Sequence, residues 1–339
     1  MENKILLIAL AFALVIIGCA QTQNEQTTMA SHSGMGHSMS HGSIPGGKID
    51  FNVEKFSEHT GINYTVVNGT KEFVLTARPI FWDIQTFKGV YSWAYNNQVP
   101  GPLIRVVEGD RVRIILKNEL PESTTLHLHG VELPNNMDGV PGLTQNPIEP
   151  NESFVYEFTA NHAGSFMYHP HSNSQKQVEM GLFGPLVVEP KNYTRPDREF
   201  VLMLSELSLS ANLTNNVLYG HVHENQFNYY LINGKVFPAT EELRVKLNDS
   251  VKIRLMNMGS MTHPIHLHGH SFKVIATDGN DWDYGPTKDT LSIGSGERYD
   301  VLFNATNPGE WMLHCHIFGH ATNDGVSPGG MMTELGYDK

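Results

Sequence analysis

The stretch His314-Cys315-His316-Ile317-Phe318-Gly319-His320, followed by Gly330-Met331, sets a thiol between two imidazoles. It adds a third imidazole and ends on a thioether. Outside residues 1–19, Cys315 is the only cysteine, so it has no partner for a disulfide within the chain. A lone thiol in such company predicts copper. Four histidine pairs share the spacing i, i+2: His127/His129, His169/His171, His266/His268 and His314/His316. On a strand, residues two apart point to one face, so each pair presents two imidazoles to one cavity. Eight imidazoles are more than a single ion accepts, and they predict a cluster of several metal ions. The same alternation turns Cys315 away from its neighbours, toward His263, His320 and Met331. Two imidazoles, a thiolate and a weak axial thioether make a blue-copper electron-transfer site. Met332 is adjacent to Met331 and competes for the axial position.

These side chains need rigid strands, and the strands come as an internal repeat. Gly109-Asp110-Arg111-Val112-Arg113-Ile114 leads to Asn118 and then His127-Leu128-His129-Gly130; Asn248-Asp249-Ser250-Val251-Lys252-Ile253 leads to Asn257 and then His266-Leu267-His268-Gly269. The Asp-to-Asn interval is eight residues in both copies, and the Asp-to-His interval is seventeen. Each copy closes on a second histidine pair, with Pro170 in the first where Cys315 stands in the second. A duplicated β-domain follows. Phe73 to Ala77, Arg111 to Leu116 and Phe200 to Leu204 read as strands, residues 97–102 as a turn, and long amphipathic helices are hard to find. The expected fold is all-β: two Greek-key β-sandwiches, residues 51–190 and 191–339, divided near Glu189-Pro190-Lys191.

Composition agrees. Only 17% of the residues are charged, and 31 Gly and 18 Pro supply turns. The net charge of -12 argues against nucleic acid and favours solubility. Residues 1–19 read as an export signal: Lys4, an apolar run from Ile5 to Ile17, then Gly18-Cys19. The ending resembles a bacterial lipobox, which predicts lipidation of Cys19 and a membrane-anchored lipoprotein, periplasmic or at the cell surface. An ordinary signal peptide with a chance cysteine is the alternative. Residues 20–50 read as a disordered tether in which Met29, His32, Met35, His37, Met39 and His41 recur, suited to loose copper capture. His221 and His223 form a further pair outside the repeats, read as an exposed polar strand or turn in preference to a surface metal site.

Taken in order, the four histidine stretches resemble the copper-binding motifs of multicopper oxidases. The likeness extends to Pro100-Gly101-Pro102-Leu103-Ile104-Arg105 and Pro308-Gly309-Glu310-Trp311. It implies that both sandwiches are cupredoxin-like, with type 1 copper on His263, Cys315, His320 and Met331, and type 2 copper on His127 and His266. It implies a type 3 pair on His129, His169, His171, His268, His314 and His316, giving four coppers per subunit. Asp138 matches the acid that orients water and relays protons near the trinuclear cluster, though an Asp-Gly turn explains it equally well. Asp324 is a weaker proton donor.

The implied activity is one-electron oxidation of a reductant, with electrons passing through Cys315 to His314 and His316 and four-electron reduction of O2 to water. Electron access is expected near the edge of His263 or His320. The reductant is phenolic or aromatic, or Cu(I), Fe(II) or Mn(II). Copper nitrite reductases carry the type 1 cysteine in their first domain, so the closer likeness is to two-domain laccase-like oxidases. Those place the cluster between subunits, which implies a homotrimer. A copper-binding or copper-resistance protein with incidental oxidase activity is the alternative.

Overall fold

In the computed structural model, residues 61–85, 88–214, 217–220 and 226–338 are described. Cys19, the Met/His tether, His59 and the His221/His223 pair lie outside the described residues.

Two sandwiches account for nearly all the described chain. In the first, a seven-stranded sheet runs Leu209–Thr214, Val217–Gly220, Lys88–Tyr95, Thr70–Gln85, Arg111–Asn118, Ser153–Thr159, with Thr65–Val67 on its side. A four-stranded sheet of Ile104–Val107, Gly184–Glu189, Gly164–His169 and His127–His129 packs against it. In the second, a seven-stranded sheet is built around Arg198–Leu207, Ser250–Asn257 and Arg298–Asn304. It faces a five-stranded sheet of Leu243–Val245, Met332–Tyr337, Glu310–Cys315, His263–Leu267 and Thr290–Ile293. The one described α-helix is the short Ser174–Glu179.

The repeat is physical. Thr70–Gln85 pairs in parallel with Arg111–Asn118, and Arg198–Leu207 pairs in parallel with Ser250–Asn257. Asp110 accepts the Val107 N–H at 2.6 Å, and Asp249 accepts the Lys246 N–H at 2.7 Å, closing the same turn before each strand. Asn118 accepts the N–H of Leu120, and Asn257 that of Gly259, both at 2.9 Å, forming the same Asx turn after each strand. The intervals seen in the sequence are these turns.

Alternation sets the cores. In Arg111–Asn118, Val112, Ile114 and Leu116 point inward while Arg111 and Lys117 face out. Arg198–Leu207 is buried on both faces. Phe200, Leu202 and Leu204 enter the second core, while Val201, Met203 and Leu207 enter a third cluster with Trp82, Met167 and Phe183 of the first half. That cluster joins the halves. So does a buried ion network in which Arg254 meets Glu199, Asp300 and Ser165, and Arg105 meets Glu199. One exchange crosses the expected division: Leu209–Thr214 and Val217–Gly220 leave the second half and extend the first half's sheet through Lys88–Tyr95.

Candidate metal centres

Strand His127–His129 pairs antiparallel with Gly164–His169, setting His127 opposite His169. Strand His263–Leu267 pairs antiparallel with Glu310–Cys315, setting His266 opposite His314. The register is the same in both copies, and each gathers four imidazoles. In the first quartet the ring centroids of His127 lie 5.9, 5.2 and 5.4 Å from those of His129, His169 and His171. In the second, His266 lies 4.9, 5.8 and 5.7 Å from His268, His314 and His316. Ring nitrogens of His129 and His169 approach to 3.3 Å, and those of His268 and His314 to 3.0 Å. His171 and His316 are exposed, so each quartet opens to solvent. Among the described residues no ring contact joins one quartet to the other.

Backbone carbonyls choose the tautomers. A carbonyl only accepts, so the ring nitrogen facing it carries the proton. His127 Nδ1–H donates to the Asp138 carbonyl at 2.8 Å, and His266 Nδ1–H to that of Asp289 at 2.9 Å. His169 and His314 donate in the same way to Pro170 and Cys315, at 3.0 and 2.9 Å. In all four this leaves the lone pair on Nε2, as a metal ligand requires, and in His169 and His314 that nitrogen faces a neighbouring imidazole of the same quartet. Burial and then the charge of Arg298 hold His129 down at about 4, and burial holds His169 down at about 3. Burial also lowers His268 and His314. These imidazoles are neutral at pH 7.

The carboxylate of Asp138 lies 3.3 Å from His127 Nδ1, beside the first quartet. Asp324 is not at either quartet. It is exposed at a loop tip and accepts from Asn228 at 3.1 Å.

Cys315 projects to the other side of its strand, into the second core, with no exposure. Its Sγ lies 3.7 Å from His263 Nδ1 and 3.4 Å from His320 Nδ1, and the two nitrogens are 3.1 Å apart. A triangle with these sides has a centre about 2.0 Å from each corner, close to the length of a bond from a first-row metal to N or S. The donor set is soft on one side and imidazole on the other, which fits copper. Burial pushes the Cys315 thiol up to about 11 and, with His263, holds His320 down at about 4.

Met331 is fully buried in the same core cluster as Cys315, while Met332 is only half-buried and begins the next strand. Met331 is clasped by backbone on both sides: its carbonyl accepts from Cys315 N–H at 3.0 Å, and its N–H donates to His320 at 2.8 Å.

Two residues at this site escaped the sequence reading. Glu206 accepts the His263 Nε2–H at 2.7 Å, and the Tyr230 ring stacks on His320 at 4.0 Å and 17°. Neither expected edge is therefore open: His263 is 0% and His320 3% exposed. The available signal was a carboxylate just after Phe200 to Leu204, a run that is apolar on both faces of its strand, and an acid buried there must have a partner. His270 is not a ligand, since Nδ1 meets the His268 carbonyl at 3.0 Å and Nε2 the Tyr337 hydroxyl at 2.7 Å. His162 donates to the Gly279 carbonyl at 3.0 Å and bridges the halves.

Two β-sandwiches, two histidine quartets and a buried Cys-His-His set define a cupredoxin-type metalloprotein. Residues 82–193 and 207–329 match two family models, each described as multicopper oxidase. The structure resembles a blue copper oxidase from Nitrosomonas europaea, with 39% identity and a TM-score of 0.72, over 78% of this chain and 85% of that one. The sequence is 35% identical over 246 residues to Laccase-2 of Cryptococcus neoformans, and 31% identical over 264 residues to Copper resistance protein A of Pseudomonas syringae. Each match takes in 63% of this chain, but the chain spans only 40% of the length of the first and 43% of the second. The chain belongs to the multicopper oxidase family.

Proposed function

We propose that the protein is a laccase-like multicopper oxidase that couples one-electron oxidation of a reductant to four-electron reduction of O2 to water. The observation that carries this reading is the alternation at Glu310–Cys315 and beyond. Cys315 faces one donor set and His314 belongs to another, one peptide unit apart. Copper, when bound, supplies one-electron redox chemistry at both sets.

We assign the mononuclear (type 1) ion to His263, Cys315, His320 and Met331. Type 2 copper falls to His127 and His266, and the type 3 pair to His129, His169, His171, His268, His314 and His316, for four coppers per subunit. Cys315 offers a covalent route of one residue to His314 and to His316. His127 and His266 are held by the carbonyls of Asp138 and Asp289, which keeps their Nε2 atoms aimed outward for ligation. Asp138 touches the first quartet through His127 at 3.3 Å, and it is the acid to which we assign proton supply there.

Each quartet supplies half of the eight imidazoles and opens to solvent, so a head-to-tail ring that seats one chain's first quartet on the next chain's second completes the site. The exposed Phe318, 5.5 Å from His316, lies on the face such a contact would cover. A homotrimer is the assembly we infer, of two cupredoxin-like domains per chain dividing near residue 190. Lipidation at Cys19 would tether it to a membrane surface outside the cytoplasm.

The Met/His tether and the resemblance to a copper resistance protein favour a metal reductant, Cu(I) first, over a phenol. They also keep a second reading in view: a copper-handling protein with incidental oxidase activity. The test measures oxygen uptake with Cu(I), Fe(II), Mn(II) and a phenol, with and without residues 20–50, alongside copper content and mass in solution. Four coppers per chain and turnover confined to the trimer support the proposal. Full activity in a monomer, or a variable copper content with negligible turnover, sinks it. A nitrite reductase reading is disfavoured because Pro170 stands where a first-half thiolate would be.

A further inference from the structure

Glu206 is a buried carboxylate near the end of the strand Arg198–Leu207, its side chain 2% exposed. Oε1 accepts from His263 Nε2–H at 2.7 Å and from Met261 N–H at 3.0 Å; Oε2 accepts from Ser260 N–H at 3.0 Å. Among the described residues no lysine or arginine pairs with it. A buried carboxylate without a cationic side chain is costly, and what it lacks is a positive charge on the far side of His263. Tyr230 stands directly opposite Glu206 in the ladder with Tyr229–Ile232, and its ring stacks on His320. One cross-strand pair thus holds both imidazoles, one by a charge-assisted hydrogen bond and the other by its face.

We infer that Glu206 is a positioning residue for the mononuclear site. It fixes His263 as the Nε2–H tautomer, so that Nδ1 faces Cys315 and His320, and it lowers the electron affinity of copper held there. This rests on the reading of that site as type 1 copper. The cause is electrostatic. An imidazole that donates its outer N–H to a carboxylate becomes more basic and releases more charge to the metal. That favours the more positive, oxidised ion. A nearby fixed negative charge in a water-poor core acts in the same direction. A merely structural role, capping the N–H groups of Ser260 and Met261, would alter stability and leave the redox equilibrium alone.

The experiment is a redox titration of the thiolate-to-copper absorption in the full-length, copper-loaded protein, comparing wild type, Glu206→Gln and Glu206→Asp. Gln keeps the volume and one acceptor but not the charge. The expected result is a retained band with the Cu(II)/Cu(I) equilibrium moved toward Cu(I) by at least tenfold, a rise of about 59 mV for one electron. Glu206→Asp, which keeps the charge, moves it less. An intact band with a shift under about threefold in Glu206→Gln overturns the inference while leaving the type 1 reading standing.

A second measurement uses wild type alone: pulsed EPR of the proton on the outer nitrogen of each histidine ligand, during exchange into heavy water. One proton that outlasts the other supports a buried Nε2–H held by Glu206; two that exchange equally fast overturn it. Wild type that binds copper without the thiolate band overturns both the site reading and this inference.

Discussion

Replacing Arg254 with Met should cost the copper-free protein about 3 kcal/mol, at the low end of what breaking a buried ion pair does. Arg254 Nε lies 2.7 Å from Glu199, and Nη1 lies 2.8 Å from Asp300 and 2.7 Å from Ser165. Met fills most of the volume but leaves two acids in a dry site. The cost stays at the low end because each acid keeps a cation, Glu199 through Arg105 at 3.1 Å and Asp300 through Lys252 at 2.9 Å. Asp300 also accepts the Ser165 hydroxyl at 2.6 Å.

The pH dependence tests the cause. Burial acts to raise the Asp300 pKa, but Arg254 and Lys252 outweigh it and hold the carboxyl below its ordinary value. A depressed acid adds stability that is present above its unfolded pKa and lost as pH falls through the folded one. Without Arg254 that contribution shrinks, so the gap between variant and wild type should be widest near neutrality and narrow below about pH 4. Urea unfolding at a series of pH values measures this, the midpoint falling with the slope unchanged. A loss under about 1 kcal/mol at neutral pH, or a gap that stays constant on acidification, would show that the network is not held by Arg254.

In Cys315→Ser, the intense visible absorption should vanish and oxygen uptake collapse. The copper-free fold should lose only about 1–3 kcal/mol, the penalty for a poorly partnered buried hydroxyl. A blue, active variant would refute the assignment. Met331→Leu should shift the redox midpoint of the visible band while Met332→Leu leaves it in place, because only Met331 is buried beside Cys315; the reverse result would exchange their roles.

Copper-free protein should lose stability as pH falls from about 6.5 toward 4, measured by thermal unfolding. His169 and His129 titrate at about 3 and about 4 when folded, so the unfolded chain binds protons that the folded chain refuses. A flat profile over that range would contradict it. Gly139→Ala should destabilise the protein and loosen His127. Gly139 has φ 83°, and an added Cβ would collide with the Leu126 carbonyl. An unchanged melting temperature would remove the constraint.

The grouping of the histidines was legible because its signals are local. A His-x-His pair on a strand shares a face whatever the tertiary context, and the two copies repeat the same interval between turn and ligand. Cys315 could be turned away from His314 by alternation alone. Glu206, Tyr230 and Arg254 were not legible, because their partners lie 57, 90 and 46 residues away and no periodicity links them. The exchange of Leu209–Thr214 and Val217–Gly220 into the first half's sheet escaped for a related reason. Hydrophobic pattern identifies a strand, but not which open edge it will choose. The burial of the His263 and His320 edges was not legible, because the exposure of a histidine edge depends on residues from other strands.

The long loop from His320 to Met331 has one more consequence. It is a hairpin that closes on itself: Asn323 and Val326 exchange backbone hydrogen bonds at 2.9 and 3.0 Å around Asp324 and Gly325, both at positive φ. Gly329 N–H donates to the Ala321 carbonyl at 3.1 Å, and Met331 N–H to that of His320. His320 and Met331 stand at the stem, and the exposed tip is pinned on one side, where Asp324 N–H donates to the Asn228 carbonyl at 2.9 Å and its carboxylate accepts from Asn228 at 3.1 Å. For protein engineering this makes the other side of the tip, at Gly325 and the exposed Val326, a natural graft point. A peptide, a dye or an electrode linker inserted there is anchored close to the metal, and each doubling of loop length adds only about 0.6 kcal/mol of closure entropy.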